Sequence, residues 1–300
     1  MKLVERETLA GRLLISSAKA SFDPAVEVDW DAPAGGPGGT GSAGLSLHRS
    51  SLYGTHLWAS MGEQQRIELT RHEASSIASV GVWFELILIS MLTRHVYEQD
   101  PQSQHAQYAL TEIADECRHS TMFGKAIAHL GLPAYGPRRR LHKMGGLLPV
   151  IGYGPALYGS VLIVEEILDR LQREAMADES VQPMIRMINR IHVLEEARHV
   201  TFARQEVVSG MGTLSRVELA YQQWLVAMVG FQVTHTLINP QVYAAVGLDP
   251  DSTWRIAMRN PHYRATIRWA GGRIMAFLGE AGLVGPPGMR FWRRSHLLPA

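Results

Sequence analysis

A repeated helical motif is the feature that most constrains this chain. Residues 112–119 read Glu-Ile-Ala-Asp-Glu-Cys-Arg-His, and residues 192–199 read His-Val-Leu-Glu-Glu-Ala-Arg-His. The two copies align at an offset of 80 residues, with Glu116–His119 on Glu196–His199. Each contains Glu-x-x-His, which places a carboxylate and an imidazole on one helix face. One such pair is common on solvated helices, but two at one offset indicate a shared site.

A buried carboxylate on the preceding helix gives the first copy a partner. Residues 62–99 have a helical pattern, and the segment 80–92 is apolar on nearly every face apart from Glu85. A helix that is apolar all round is buried, so Glu85 must be paired, protonated or bound to metal. Asp100-Pro101 ends this helix. Because Glu85 and Glu116 each lie 15 residues from the turn, an antiparallel hairpin brings both to about the same height.

The second copy has the same arrangement. At the offset of 80, Glu165 aligns with Glu85, and Glu165 precedes Glu196 by the same 31 residues that separate Glu85 from Glu116. The repeat therefore predicts that Glu165, rather than its neighbour Glu166, points inward.

The pattern predicts an all-α protein with a ferritin-like four-helix bundle, in which a crossover at 134–155 joins two helical hairpins. Residues 1–45 are predicted to form an N-terminal helix and a flexible Gly/Pro-rich loop at 31–44, and residues 46–300 one helical domain. Within that domain the metal core spans about 62–210, packing helices follow at 213–282, and the tail from Pro286 is irregular. We predict helices at 1–20, 62–99, 102–130, 156–177, 181–209, 214–238, 251–259 and 261–281.

The hairpins together supply four carboxylates and two imidazoles to one bundle centre. Four buried glutamates would repel one another unless cations neutralised them, and two divalent ions would balance the charge. Oxygen and nitrogen donors without thiolate argue against a structural zinc site, and imidazoles argue against calcium. Iron fits best, with manganese second. The predicted metal ligands are Glu85, Glu116, His119, Glu165, Glu196 and His199.

The repeat is asymmetric at one position, where His192 stands opposite Glu112. His192 precedes Glu196 by one helical turn, so it is a candidate third imidazole ligand; a satisfied core histidine is the alternative. Carboxylates that accept the free N–H of a ligating histidine are common around metals. Asp115 and Glu195, which directly precede the two ligand glutamates, are predicted to do this, with Arg118 and Arg198 balancing their charges.

These residues resemble the non-haem diiron N-oxygenases typified by the p-aminobenzoate N-oxygenase of polyketide biosynthesis, over roughly residues 60 to 240. The resemblance lies in Glu85, Asp115–His119 with Met122-Phe123, Glu165-Glu166 and His192 with Glu195–His199. That family has four glutamate and three histidine ligands, and His192 matches the third histidine. Ferritins, ribonucleotide reductase small subunits and fatty-acid desaturases generally lack it.

The resemblance implies a monooxygenase-type oxidoreductase with two Fe ions as cofactor and O2 as co-substrate. It would oxidise an amine, mostly an arylamine, through hydroxylamine and nitroso stages to a nitro group in natural-product and antibiotic biosynthesis. An external electron donor, either a protein or a small reductant, would supply two electrons. The resemblance further implies a cytoplasmic homodimer.

The substrate itself is not specified by these motifs. The known family member that acts on an aminobenzoate anchors the carboxylate with an arginine about a turn and a half before the first ligand glutamate. Residues 78–82 read Ala-Ser-Val-Gly-Val here and contain no basic residue. Either the anchor comes from elsewhere or the substrate has no carboxylate at that end, and the small side chains suggest room for a larger group.

Three other functions stay open at this point. A diiron oxygenase acting at carbon, as a hydroxylase or desaturase, would need nearly the same ligands. A ferritin-like ferroxidase is disfavoured by the additional C-terminal helices and the 31–44 loop. A metal-free bundle would leave four core glutamates uncompensated.

Bulk composition excludes several partners. A net charge of +1 among 300 residues gives no reason to expect nucleic acid or an acidic membrane. The basic cluster Arg138–Lys143 has no interleaved aromatic residues and is interpreted as a solvated loop. The single cysteine, Cys117, excludes an intramolecular disulfide and is interpreted as a packing residue in a cytoplasmic protein.

No membrane span is predicted. The first residues carry charge where a signal peptide needs an apolar run. Residues 145–164 are uncharged, but two prolines and five glycines interrupt them. This stretch is expected to be a buried connection rather than a transmembrane helix.

Overall fold

The computed structural model describes residues 3–31 and 42–299. Within these ranges the all-α prediction is confirmed, and the one β-type pairing is an isolated bridge between Ala43 and Val181. The α-helices are α1 (Leu3–Lys19), α2 (Pro24–Glu27), α3 (His56–Ser60), α4 (Glu63–Tyr97), α5 (Gln104–His129), α6 (Arg139–Gly145), α7 (Leu148–Ile151), α8 (Gly154–Ala177), α9 (Pro183–Met211), α10 (Arg216–Thr236), α11 (Gln241–Ala244), α12 (Pro250–Arg259), α13 (Pro261–Glu280) and α14 (Met289–Arg294). Short 3-10 helices occur at Leu47–Arg49 and Pro286–Gly288.

The hairpins α4–α5 and α8–α9 form the four-helix core. The turn after α4 contains Asp100-Pro101, and Ser103 then caps α5 by accepting a hydrogen bond from the backbone N–H of Ala106 (3.1 Å). Gln182 caps α9 in the same way, immediately before a proline at the first helical position. Because α5 packs on α9 and α4 on α8, the inward faces of both hairpins meet.

Helix α4 is long and apolar enough to cross a membrane by length and composition alone. Core helices of globular proteins share this property, and 56% of the most apolar window of α4 is buried within the protein. The expectation that α4 is buried on every face is wrong at Leu86, which is 53% exposed. Glu85 beside it is 2% exposed.

The crossover is more regular than the sequence indicated. Residues 139–145, interpreted as part of a solvated loop, form the helix α6, and α7 follows directly. The uncharged run 145–164 is divided among α6, α7 and α8, so it contains no continuous spanning helix.

The N-terminal helix packs on α5 and α9. Arg6 donates from Nε to Glu206 Oε1 on α9 (3.0 Å). Residues 32–41 of the predicted flexible loop lie outside the described residues. The end of that loop is fixed, because Ala43 exchanges backbone hydrogen bonds with Ser180 and Gln182 (both 3.0 Å).

The C-terminal tail contradicts the prediction of irregular structure. It forms a 3-10 turn and then α14, whose Trp292 is completely buried. The Trp292 ring packs on Gly230 of α10, where an added Cβ would lie 2.6 Å from Cζ3. The interpretation of Cys117 as a packing residue is also wrong, because its side chain is exposed.

Candidate metal centre

The hairpin spacings bring all seven predicted ligands to one place in the bundle. Each of these side chains is buried, with at most 4% of its surface exposed. Their oxygen and nitrogen atoms form overlapping groups within 4.8 Å of one another, and such groups could hold metal ions. The groups are Glu85 with His119 and His192, Glu116 with His119 and Glu196, and Glu165 with His192 and Glu196. A fourth group combines Glu116 and His199 with a further carboxylate, Glu112.

Two glutamates lie between the two repeat histidines. His119 Nδ1 is 3.3 Å from Glu116 Oε2 and 3.2 Å from Glu196 Oε1. His199 Nδ1 is 3.0 Å from Glu116 Oε1 and 3.0 Å from Glu196 Oε1. Each glutamate therefore reaches both imidazoles, and these four side chains would together hold cations.

His192 approaches the cluster with its other ring nitrogen. Its Nε2 lies 3.4 Å from Glu85 Oε1 and 3.8 Å from Glu196 Oε1. Its Nδ1 donates to Gln172 Oε1 (2.9 Å). Gln172 was not predicted, although its position seven residues after Glu165 puts it two turns along the same face of α8.

Each repeat histidine donates a hydrogen bond to a carboxylate of the other repeat. His119 on α5 donates from Nε2 to Glu195 on α9 (2.8 Å), and His199 on α9 donates from Nε2 to Asp115 on α5 (3.3 Å). These bonds leave Nδ1 of both histidines directed at the cluster.

The two arginines occupy the space around these carboxylates. Arg118 pairs with Asp115, and Arg198 Nη2 lies 3.8 Å from Glu195 Oε1. Each arginine also approaches the carboxylate of the other repeat, at 3.9 Å for Arg118 and Glu195 and 3.7 Å for Arg198 and Asp115.

Glu166 has a separate role from Glu165. Its carboxylate pairs with Arg204, at 2.9 Å from Nε and 2.7 Å from Nη2. The neighbouring Glu165 points to the cluster and belongs to the group with His192 and Glu196.

Without cations, the cluster retains protons. Burial and the charge of Glu116 raise the pKa of Glu85 well above its ordinary value, and burial and the charge of Glu196 do the same for Glu165. Burial opposes ionisation of Glu116 too, but a hydrogen bond from Glu85 and the charge of His199 lower its pKa. Burial lowers the pKa of His192 to about 4, which keeps that imidazole neutral and able to bind a metal. Cations entering this site would displace protons from the carboxyl groups.

Unpaired oxygens show that the donor set fits metal ions. Within residues 3–31 and 42–299, Glu85, Glu165 and Glu196 each bury an Oε2 atom that has no hydrogen-bond partner. Buried carboxylate oxygens without a partner are strongly destabilising. Divalent cations at the shared centre would satisfy them, and the mixture of carboxylate and imidazole suits iron or manganese.

Glu112 is a cluster residue that the sequence reasoning missed. It is 2% exposed, its Oε2 has no hydrogen-bond partner in the described part of the chain, and burial raises its pKa to about 8. Its alignment with His192 in the repeat could have predicted this, because that position faces the centre of the bundle in both hairpins.

Two cavities lie on opposite sides of the cluster along the bundle. An apolar cavity of about 100 Å³ is lined by Gly81, Phe123 and Gln172 among others, and the Phe123 ring lies 5.0 Å from that of His192. A more polar cavity of about 490 Å³ is lined by His95, Tyr158 and other residues near the opposite end of α4. Phe123 and Gln172, which both contact His192, thus connect the apolar cavity to that side of the cluster.

Comparison with known proteins agrees with this geometry. Residues 4–282 match the family described as p-aminobenzoate N-oxygenase AurF. An uncharacterized protein of Mycobacterium tuberculosis strain CDC 1551 is 26% identical over 295 residues, covering 92% of this chain and 83% of the relative. An uncharacterized protein of Mycobacterium bovis is 29% identical with the same coverage. The family is one of ferritin-like helical diiron oxygenases, and this chain belongs to the p-aminobenzoate N-oxygenase AurF family.

Proposed function

We propose that this protein is an O2-dependent diiron N-oxygenase that oxidises an arylamine through hydroxylamine and nitroso stages to a nitro group. The observation that carries the proposal is the position of His192, whose Nε2 points to Glu85 and Glu196 while Gln172 holds its Nδ1. This third imidazole matches the seven-ligand set of N-oxygenases. Family membership supports a diiron oxygenase in general.

The seven clustered residues are the side chains that would hold two iron ions. Bound iron would supply the activation of dioxygen. The protein contributes fixed donors, because Glu195, Asp115 and Gln172 each hold one ring nitrogen of a histidine and so direct the other nitrogen to the centre.

The apolar cavity is the proposed substrate site. None of the described residues that line it is charged, so a substrate carboxylate would be buried there without a partner, at a high energetic penalty. An amine on an uncharged aromatic ring fits better. The volume of about 100 Å³ is of the same order as the ~150 Å³ apolar cavity that takes up benzene.

Iron loading and product analysis test the proposal. The protein would be reconstituted anaerobically with ferrous iron, desalted and assayed for iron, and we expect about two ions per chain. The reduced protein would then be exposed to O2 with aniline-type amines and with p-aminobenzoate, and the products identified by mass spectrometry. We expect hydroxylamine, nitroso or nitro products from the uncharged amines in preference to p-aminobenzoate.

Oxidation at carbon is the alternative, as catalysed by hydroxylases and desaturases. His192→Ala should abolish N-oxidation, whereas an enzyme acting at carbon would depend on this residue much less. A folded protein that binds no iron would exclude both functions, and an iron-loaded protein that gives only ring-hydroxylated or desaturated products would exclude N-oxidation.

A further inference from the structure

The crossover presents a basic surface that the proposed chemistry has not used. Four cationic side chains, Arg138, Arg139, Arg140 and Lys143, are exposed there, and no Asp or Glu occurs from residue 131 through 164. Among the described residues, Arg138 alone of these four has an ion-pair partner, Asp251, at 3.4 Å. We call residues 138–153 the crossover surface.

Large apolar side chains are exposed directly after these cations. Within the crossover surface they are Met144 (51% exposed), Leu147 (56%), Val150 (63%), Ile151 (41%) and Tyr153 (47%). Single exposed apolar residues are ordinary, but contiguous ones beside charged residues are typical of protein–protein contact sites.

The crossover surface lies over the segment of the bundle that holds the cluster. Gly145 is so close to Trp83 and Ile87 of α4 that an added Cβ would be 2.1 Å and 3.0 Å from their side chains. Leu148 of α7 lines a small internal cavity together with Phe84 and with Glu165, a proposed iron ligand. A partner on this surface is therefore separated from the cluster by little more than one layer of side chains.

The proposed reaction needs electrons from outside the protein. When one oxygen atom of O2 is inserted into an N–H bond, the other leaves as water, which takes two electrons and two protons. Two one-electron carriers, or one carrier acting twice, would supply the electrons.

We propose that the crossover surface docks an acidic one-electron carrier protein of the iron–sulfur class. This inference rests on the proposed function. Acidic groups of the carrier would face Arg138–Lys143, and its apolar centre would cover Leu147, Val150 and Ile151. Complementary charge would steer the encounter, and the apolar contacts would hold the complex.

Charge argues against a second copy of this chain as the occupant. In a two-fold symmetric dimer built on this surface, the same patch meets itself. The basic runs of both copies would then lie close together without acidic residues between them. An anionic membrane is the other possible occupant, and it is an outcome of the test below.

The test compares two variants of the crossover surface with a control that reverses the same number of charges elsewhere. Arg139→Glu/Arg140→Glu alters the crossover surface, and Leu147→Asp/Val150→Asp alters its apolar part. The matched control is Arg12→Glu/Arg273→Glu, because both of these arginines are exposed on other helices, α1 and α13. The probe is an acidic plant-type [2Fe–2S] ferredoxin.

Binding to oxidised ferredoxin is measured by surface plasmon resonance, and reduction of the iron-loaded protein by reduced ferredoxin is followed anaerobically by stopped-flow absorbance. Arg139→Glu/Arg140→Glu should lower the association rate by at least about tenfold at low salt. Leu147→Asp/Val150→Asp should accelerate dissociation, and the control should behave as wild type. Reduction by dithionite with methyl viologen should be equal in all variants.

Several results would overturn the proposal. It is overturned if wild-type protein binds ferredoxin no better than the variants, if it binds vesicles of anionic phospholipid through this surface, or if it forms a dimer in sedimentation that Leu147→Asp/Val150→Asp dissociates. The proposed function fails separately, if dithionite-reduced protein forms no N-oxidised product although ferredoxin binding depends on the crossover surface.

Discussion

The hydrogen bonds between each histidine and a carboxylate of the other repeat give the sharpest prediction, which concerns the substitution Glu195→Gln. Glu195 is completely buried, and each of its oxygens accepts one hydrogen bond, from the backbone N–H of Phe22 (3.0 Å) and from His119 Nε2 (2.8 Å). Glutamine has a single acceptor oxygen, so one of the two donors would face an amide N–H instead. If that donor is His119, the imidazole loses the partner that directs its Nδ1 to the cluster.

The size of the effect follows from this bond. A hydrogen bond to a charged group contributes about 1.5–3 kcal/mol, and about 1.4 kcal/mol corresponds to a tenfold change in affinity. We therefore expect iron affinity to fall by about 10- to 100-fold, as is common for carboxylates behind metal ligands. Asp115→Asn should act in the same direction through His199, and more weakly because its hydrogen bond is longer, at 3.3 Å.

Ferrous iron affinity would be measured anaerobically by competition with a chromogenic chelator. Glu166→Gln is the matched control, since it makes the same chemical change at a buried carboxylate that pairs with Arg204 rather than with a cluster histidine. It should leave iron affinity nearly unchanged. The reasoning is refuted if Glu195→Gln binds iron as tightly as wild type, or if Glu166→Gln weakens binding equally.

Three further predictions concern the cavity, a buried carboxyl group and the C-terminal packing. Gly81→Leu places its side chain into the apolar cavity, where an added Cβ meets none of the described atoms within 4 Å. The KM for the amine should therefore rise while the iron content stays the same. A KM equal to that of the wild type would contradict the assignment of this cavity as the substrate site. Burial raises the pKa of Glu73 from 4.5 to about 7, so its contribution to stability is complete below pH 4.5 and is lost as pH rises to 7. Through Glu73 the free energy of unfolding, measured with urea, should fall by up to about 3 kcal/mol over this range, and Glu73→Gln should remove this fall. An unaltered pH profile in the variant would show that Glu73 does not titrate in this range. Gly230→Ala should destabilise by about 1–3 kcal/mol because its Cβ meets Trp292, whereas Gly124→Ala, with open space around its Cβ, should stabilise by about 0.5–1 kcal/mol; similar melting temperatures for both would refute the packing argument.

Local rules explain why the helices and the clustered residues were predictable. The interval of 31 residues and the Glu-x-x-His spacing depend only on helix rise and periodicity, and the structure brings Glu85, Glu116, Glu165 and Glu196 together as these rules require. Asp100-Pro101 marks the end of the first long helix through backbone geometry alone.

Other features depend on contacts that the sequence does not display. The tail from Pro286 contains glycine and prolines that resemble a loop, but burial of Trp292 against Gly230 makes part of it helical. Glu112 was noticed as the counterpart of His192, yet its inward position became clear only from its closeness to Glu116 and His199.

The sequence by itself determined that two helical hairpins would bring carboxylates and imidazoles to one height in a bundle, because helix geometry converts residue number directly into distance and direction. Only the tertiary structure decided which ring nitrogen faces the centre, that Asp115 and Glu195 serve the histidine of the opposite repeat, and that an uncharged cavity lies against Phe123 and Gln172. These features arise where two helices from different hairpins pack, and side-chain rotamers there depend on neighbours that are distant in the sequence.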